Sequence, residues 1–139
     1  MIKVSFEELG TIDGAEFKFA VICAKYEDKW IFCRHKERST WEIPGGHREI
    51  DETIEDTARR ELIEETGATK FDIIPLTIYC VENGSENTYG VLFFAEIEKL
   101  DNLSVDSEIG EIKLFDSLPD ELTYPKIQPY LYEFLIKSV

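Results

Sequence analysis

Apolar residues along this chain fall into runs separated by short polar breaks, and the breaks mark out the elements. Phe17–Tyr26 is a long apolar-rich run; Glu27-Asp28-Lys29 interrupts it and Trp30-Ile31-Phe32-Cys33 resumes it, which predicts a β-hairpin. A second break at 36–40 leads to Trp41-Glu42-Ile43, read as a short strand closed by Pro44-Gly45-Gly46. From Asp51 onward the period turns helical. Ile54, Ala58 and Leu62 recur at i, i+4 and i+8, and Gly67 supplies a C-terminal stop. Two further strands are predicted at 71–81 and 88–97, joined across Asn83-Gly84, a hairpin-type dipeptide. Ile112-Lys113-Leu114-Phe115 reads as a short late strand. An amphipathic helix is expected over 125–137, with Tyr130, Leu131 and Phe134 among its apolar residues. The order of strands, helix, strands, helix predicts a mixed sheet packed by helices, an α/β or α+β fold in one domain over 1–139.

Composition narrows the class. The chain has 139 residues, 43% hydrophobic and 12% aromatic, enough to bury a real core and to exclude a disordered chain. Its formal charge of −14 argues against a long nucleic acid or an anionic membrane surface as a bare partner. An anionic substrate would need a positive mediator, and a divalent cation is the natural one. Cys23, Cys33 and Cys80 each sit within an apolar run and read as buried small hydrophobes in a reduced compartment. No CxxC pair exists, and His35 and His47 are too isolated in sequence to suggest zinc. The first residues lack the basic and apolar regions of a leader. No segment approaches the roughly 18 apolar residues of a membrane span, so the expected location is the cytoplasm.

The chemistry concentrates between Gly46 and Ala68, where eight acidic residues face three arginines. A solvated helix face should lie opposite the apolar stripe. At about 100° per residue from Ile54, however, Glu61, Glu64 and Glu65 fall at about 340°, 280° and 20°, overlapping the stripe's edge, where partial shielding from water is expected. Like charges at these spacings oppose one another, and the last turn of a helix disfavours anions. A hard cation would reverse the sign of each penalty, since oxygen ligands so spaced can converge on one ion. Arg60 and Glu52 are positioned to brace the group through an ion pair, and Gly45-Gly46 allows a close backbone approach.

Gly46, Glu52, Arg60-Glu61-Leu62, Glu64-Glu65 and Gly67 resemble the signature of the Nudix (MutT-like) hydrolases, Gly-x5-Glu-x7-Arg-Glu-U-x-Glu-Glu-x-Gly-U with U a bulky aliphatic residue. The one departure is Ala68, small where the family prefers a larger aliphatic. The lead-in Trp41 to Gly46 and the stretches from Glu108 to Ile112 and from Phe115 to Pro119 also look like the family's, so the likeness covers roughly 17–137. It implies an α/β/α sandwich with a mixed β-sheet. The implied reaction is water attack on a diphosphate linkage of a nucleoside diphosphate derivative. Glu61, Glu64 and Glu65 with the Gly46 carbonyl would hold Mg²⁺, Mn²⁺ being the alternative ion, and Glu52 and Arg60 would support the cluster. The general base implied is Glu61 or Glu64, with Glu108 and Glu111 as loop alternatives.

The substrate is less legible. The proline of many ADP-ribose hydrolases is missing after the box, where the chain reads Glu82-Asn83-Gly84-Ser85, and Tyr89 is displaced from the tyrosine of dinucleoside polyphosphate hydrolases. By resemblance to compact members, a nucleoside triphosphate, standard or oxidised, is the expected substrate, cleaved to monophosphate and pyrophosphate. Removal of pyrophosphate from an RNA 5′ end, or hydrolysis of another nucleoside diphosphate linked to a different group, is the alternative. A silent ligand-sensing module should lose box glutamates, and none is lost. Arg34, Trp41 and Glu111 are the candidates for substrate binding. Tyr79 and Phe115 are further stacking candidates, and Lys36, Arg38 and Arg48 are further phosphate contacts. The residues do not set the oligomeric state; a homodimer is what resemblance to small Nudix proteins, often dimers, implies.

Overall fold

The structure is a computed structural model and describes residues 1–138. Strand β1 (Ile2–Glu7) is followed by a 3-10 turn (Gly14–Glu16), β2 (Phe17–Tyr26), β3 (Lys29–His35) and β4 (Gly45–His47). Then come α1 (Ile54–Thr66), β5 (Ala68–Asn83), β6 (Glu86–Leu100), β7 (Ile109–Phe115) and α2 (Gln128–Ser138). The sheet runs β1-β5-β6-β2-β3-β7, with β4 paired to β2 beside this path. β2 pairs with β6 in parallel, while β5–β6, β1–β5, β2–β3 and β3–β7 are antiparallel. It is a mixed sheet.

Alternation along the central strands explains the two layers of core. On one face Ala20, Ile22 and Ala24 of β2 meet Val91, Phe93 and Ala95 of β6 under Ile54, Ala58 and Leu62 of α1. On the other, Val21 and Cys23 join Phe32, Leu92, Leu131 and Leu135, the last two from α2. Because both faces are covered, β2 reads as a continuous apolar run instead of an alternating one. Leu62, Leu131 and Leu135 are fully buried, each worth roughly 1.5–3 kcal/mol of transfer free energy. The result is the α/β/α sandwich expected from the resemblance.

Helix α1 is closed at both ends by local chemistry. Thr53 Oγ1 accepts from the Asp56 N–H and the Asp56 carboxylate accepts from the Thr53 N–H, a reciprocal cap. Gly67 ends the helix in the left-handed region at φ 79°, its N–H donating to the Ile63 carbonyl. The helix therefore begins at Ile54, three residues after Asp51, which lies in the preceding turn.

Three expectations are corrected. β1 was not anticipated, although Ile2, Val4 and Phe6 alternate; it adds to the sheet edge beside β5, and Phe6 stacks on Phe134 at 4.7 Å. Trp41-Glu42-Ile43 forms only two isolated bridges, Cys33 to Glu42 and Trp41 to Leu122, while the strand proper is Gly45–His47. The pairing falls on the glycines because a Cβ at Gly45 would collide with the Ala20 carbonyl of β2. In the β5–β6 turn Asn83 pairs with Glu86, so the two-residue loop is Gly84-Ser85, with Gly84 at φ 66°. The free cysteines 23, 33 and 80 are all buried. Among the described residues no helix is long and apolar enough to cross a membrane.

Candidate active site

The fold delivers the carboxylates by splitting one strand edge. β3 pairs with β2 only at Lys25 and Tyr26, and β4 takes the other end of that edge at residues 19–21. Gly45 and Gly46 are thereby pressed between β2 and the last turns of α1. The Gly45 N–H donates to Glu65 Oε1 at 2.8 Å. Gly46 lies so close to Glu61 that an added Cβ would stand 2.5 and 2.6 Å from its two carboxylate oxygens. Glu61 and Glu65 are shielded, with side chains 12% and 11% exposed, but Glu64 is 57% exposed. The expected shielding of all three thus fails for Glu64, because its side of α1 faces an open cleft and no strand.

Arg60 organises the acidic group. Its Nε and Nη2 donate to the two oxygens of Glu52 at 2.6 and 3.0 Å, a bidentate pair, and Nη2 also reaches the His47 carbonyl at 3.0 Å. Its Nη1 meets Glu61 at 2.7 Å and Glu64 at 3.3 Å. Buried Thr57 donates its hydroxyl to Glu52 at 2.9 Å, a support the sequence reading missed. Hydrogen bonds from Arg60, then from the Glu49 N–H, hold the Glu52 carboxyl down at about 2. Burial pushes the Glu65 carboxyl up to about 8; the Gly45 N–H opposes this, and the charges of Glu61, Glu42 and Glu64 add to it. Glu61 is raised by burial too, with Arg60 pulling the other way. The site is thus a pocket of excess negative potential with one committed arginine.

A second group lies behind it. His35 Nε2 is 2.5 Å from Glu42 Oε1 and 3.7 Å from Glu65 Oε2, and Arg38 Nη1 reaches Glu42 at 3.4 Å. His35, isolated in sequence, is therefore not isolated in space. Residues 35, 42 and 65 carry no common local pattern, so only the pairing of Cys33 with Glu42 reveals the grouping.

Two clefts share this ground. One, about 450 Å³, is lined by Arg60, Glu61, Glu64, Glu65 and, from the loop before β7, Asp106 and Glu108. The other, about 580 Å³, shares Glu61, Glu65 and Glu108 and runs on past Phe19, Tyr79, Tyr124 and Gln128. Gly46, Glu61 and Glu65 of the sequence candidates line the second cleft, and Glu64 and Arg60 the first, with Glu52 bound to Arg60 behind them. Arg38 and Tyr79 also line the second. Arg34, Trp41 and Glu111 line neither: Arg34 pairs with Glu111 at 3.5 Å, opposite it on β7, and Trp41 packs edge-on against Phe115 at 5.3 Å. Lys36 caps the Val105 carbonyl, and Arg48 is spent on the carbonyls of Phe17, Ala15 and Glu52.

The donor set fits a hard divalent cation: three carboxylates and a glycine backbone, all oxygen, with the room at Gly46 filled by the Glu61 carboxylate. Among the described residues no three His, Cys, Asp or Glu side chains already converge as one ligand set. Arg60 stands between Glu61 and Glu64, and Glu64 is the exposed member of the three carboxylates.

Comparison with known proteins agrees with this geometry. The NUDIX domain model matches residues 16–135. The Bacillus subtilis protein YtkD, to which 8-oxo-dGTP diphosphatase activity is ascribed, is 33% identical over 99% of this chain and 82% of its own. An ADP-ribose pyrophosphatase of Bacillus subtilis is 35% identical over 84% of this chain and 66% of its own. The crystal structure of the Bacillus subtilis pyrophosphohydrolase BsRppH matches with a TM-score of 0.79 at 27% identity, covering 99% of this chain and 90% of that one. With the box on one capped helix, its glutamates gathered at a cleft, and relatives matched over most of their length, the chain belongs to the Nudix family and is a pyrophosphohydrolase.

Proposed function

We propose that this single Nudix domain hydrolyses a nucleoside triphosphate, standard or bearing an oxidised purine, to the monophosphate and pyrophosphate, with Mg²⁺ as the working ion. The observation that carries this is the continuity of the two clefts: an acidic, oxygen-rich half shares Glu61, Glu65 and Glu108 with a half walled by Phe19, Tyr79, Val81 and Leu131. Phosphates with their cation suit the first half, and a flat aromatic base suits the second. Gln128 adds direction. Its Oε1 accepts from the Ile43 N–H at 2.8 Å and the residue lines this half, so its amide NH₂ is the candidate donor for a base oxygen or nitrogen. The activity ascribed to YtkD supports the same substrate class.

In this reading Glu61, Glu64 and Glu65 hold the cation, and Arg60, locked by Glu52, keeps Glu61 and Glu64 within reach of it. Mg²⁺ bound there would neutralise charge on the phosphate oxygens and lower the pKa of the attacking water, and Mn²⁺ has the same preference for oxygen. Glu61 or Glu64 takes the water proton as its oxygen bonds to phosphorus and the P–O–P bridge breaks; Glu108 is the loop alternative. The test is release of phosphate or pyrophosphate, with and without Mg²⁺, from standard and oxidised nucleotides, ADP-ribose, dinucleoside polyphosphates and triphosphorylated RNA. Nucleoside triphosphates are expected to turn over best, and Glu64→Gln to lose at least about a hundredfold in kcat. Preference for ADP-ribose or RNA would displace the substrate reading. No turnover of any compound, with Glu64→Gln matching the wild type, would sink the whole.

A further inference from the structure

We propose that His35, anchored by buried Glu42, is a positioning residue for Glu65: it fixes the orientation in which that carboxylate is offered to the cation. The inference rests on the functional reading above, in which Glu65 is a ligand.

Glu42 is held from all sides. Its backbone exchanges both hydrogen bonds with Cys33 at 2.9 Å, and its side chain, 7% exposed, receives His35 Nε2 and Arg38 Nη1. His35 is the last residue of β3, and the register with β7 shifts between Arg34 and His35, leaving Gly110 unpaired on the partner strand. Such bulges re-aim side chains, and this one lies where His35 enters the cleft wall. With Nε2 held 2.5 Å from Glu42 Oε1, the ring stands as a wall 3.7 Å from Glu65 Oε2. The other oxygen, Oε1, is pinned by the Gly45 N–H, and Cys33 Sγ lies 3.9 Å from it. Glu65 thus has one oxygen tied to backbone and the other confined by an imidazole that is itself tied to a rigid carboxylate. A ring that merely satisfied Glu42 would not need to touch Glu65 as well.

Removing the ring should leave the fold in place and loosen the carboxylate. In His35→Ala we expect the dissociation constant for Mn²⁺, measured by electron paramagnetic resonance of the free ion, to rise about tenfold. The Mg²⁺ needed for half-maximal turnover should rise alongside. His35→Gln, whose amide can donate to Glu42, should recover most of the affinity. Should His35→Ala fail to fold, His35→Leu, of similar bulk but without an N–H, decides the matter with the same expectation. Unchanged Mn²⁺ affinity in the folded alanine or leucine variant would overturn the inference. If the wild type itself neither bound Mn²⁺ nor released phosphate, the functional reading would fall, and this one with it. A wild type active in both assays beside an unaffected variant would remove this inference alone.

Discussion

Adding one methyl group at Gly46 and, separately, at Gly45 asks the same steric question of two neighbours with opposite surroundings. At Gly46 the three nearest atoms to an added Cβ all belong to the Glu61 carboxylate, its oxygens at 2.5 and 2.6 Å. Ordinary contact begins at about 3.5 Å, so the carboxylate must retreat by about 1 Å, which a glutamate side chain can do cheaply. The fold should hardly notice. Catalysis should, because a misplacement of about 1 Å at a reacting centre costs on the order of a hundredfold. At Gly45 the added Cβ meets the Ala20 carbonyl and, at 3.0 Å, Val21 Cα, both backbone atoms of a central strand that cannot step aside. Overpacking of this kind costs about 1–3 kcal/mol. For a chain of this size that lowers Tm by about 3–10 °C. Thermal unfolding followed by circular dichroism, paired with steady-state kinetics and Mn²⁺ binding, separates the two. Gly46→Ala should keep its Tm and lose kcat and metal affinity; Gly45→Ala should lose Tm. A fully active Gly46→Ala enzyme with wild-type metal affinity would refute the placement of Glu61 at the reacting centre.

Leu62→Ala, at a fully buried position on the inner face of α1, should cost about 2–5 kcal/mol in urea unfolding, and a loss below about 1 kcal/mol would contradict the packing described. Glu65 titrates near 8 when folded against an ordinary 4.5, so between those values the folded chain holds the extra proton and stability falls as pH rises. Since a cation displaces that proton, the rise in Tm on adding Mg²⁺ should grow from pH 5 to pH 8 by about several degrees; a gain independent of pH would speak against Glu65 as a ligand. Glu52 shifts the other way, to about 2 from 4.5, so its pairing with Arg60 contributes above the unfolded value and is lost as pH falls between them. Glu52→Gln should accordingly flatten the acid limb of the Tm–pH curve; an unaltered limb would show that the pair adds nothing to stability.

Much of the molecule is legible in its sequence. The strands appear as apolar runs, α1 as a four-residue period ended by Gly67, and the box as glutamates set at the wrong edge of that period. These are properties of contiguous residues, settled by backbone geometry within a few positions. What the sequence did not decide is who stands opposite whom. A wheel angle placed Glu64 beside Glu61 and Glu65, but only the packed fold shows that β4 covers two of them and leaves the third to a cleft. Arg34 and Glu111 looked available for substrate until β3 and β7 set them against each other. Trp41 looked like a stacking platform until it met Phe115. His35, Glu42 and Glu65 became neighbours only because the chain before β4 folds back onto β3. Burial and partnership of a charge depend on segments that arrive from far along the chain, and no local period encodes their arrival.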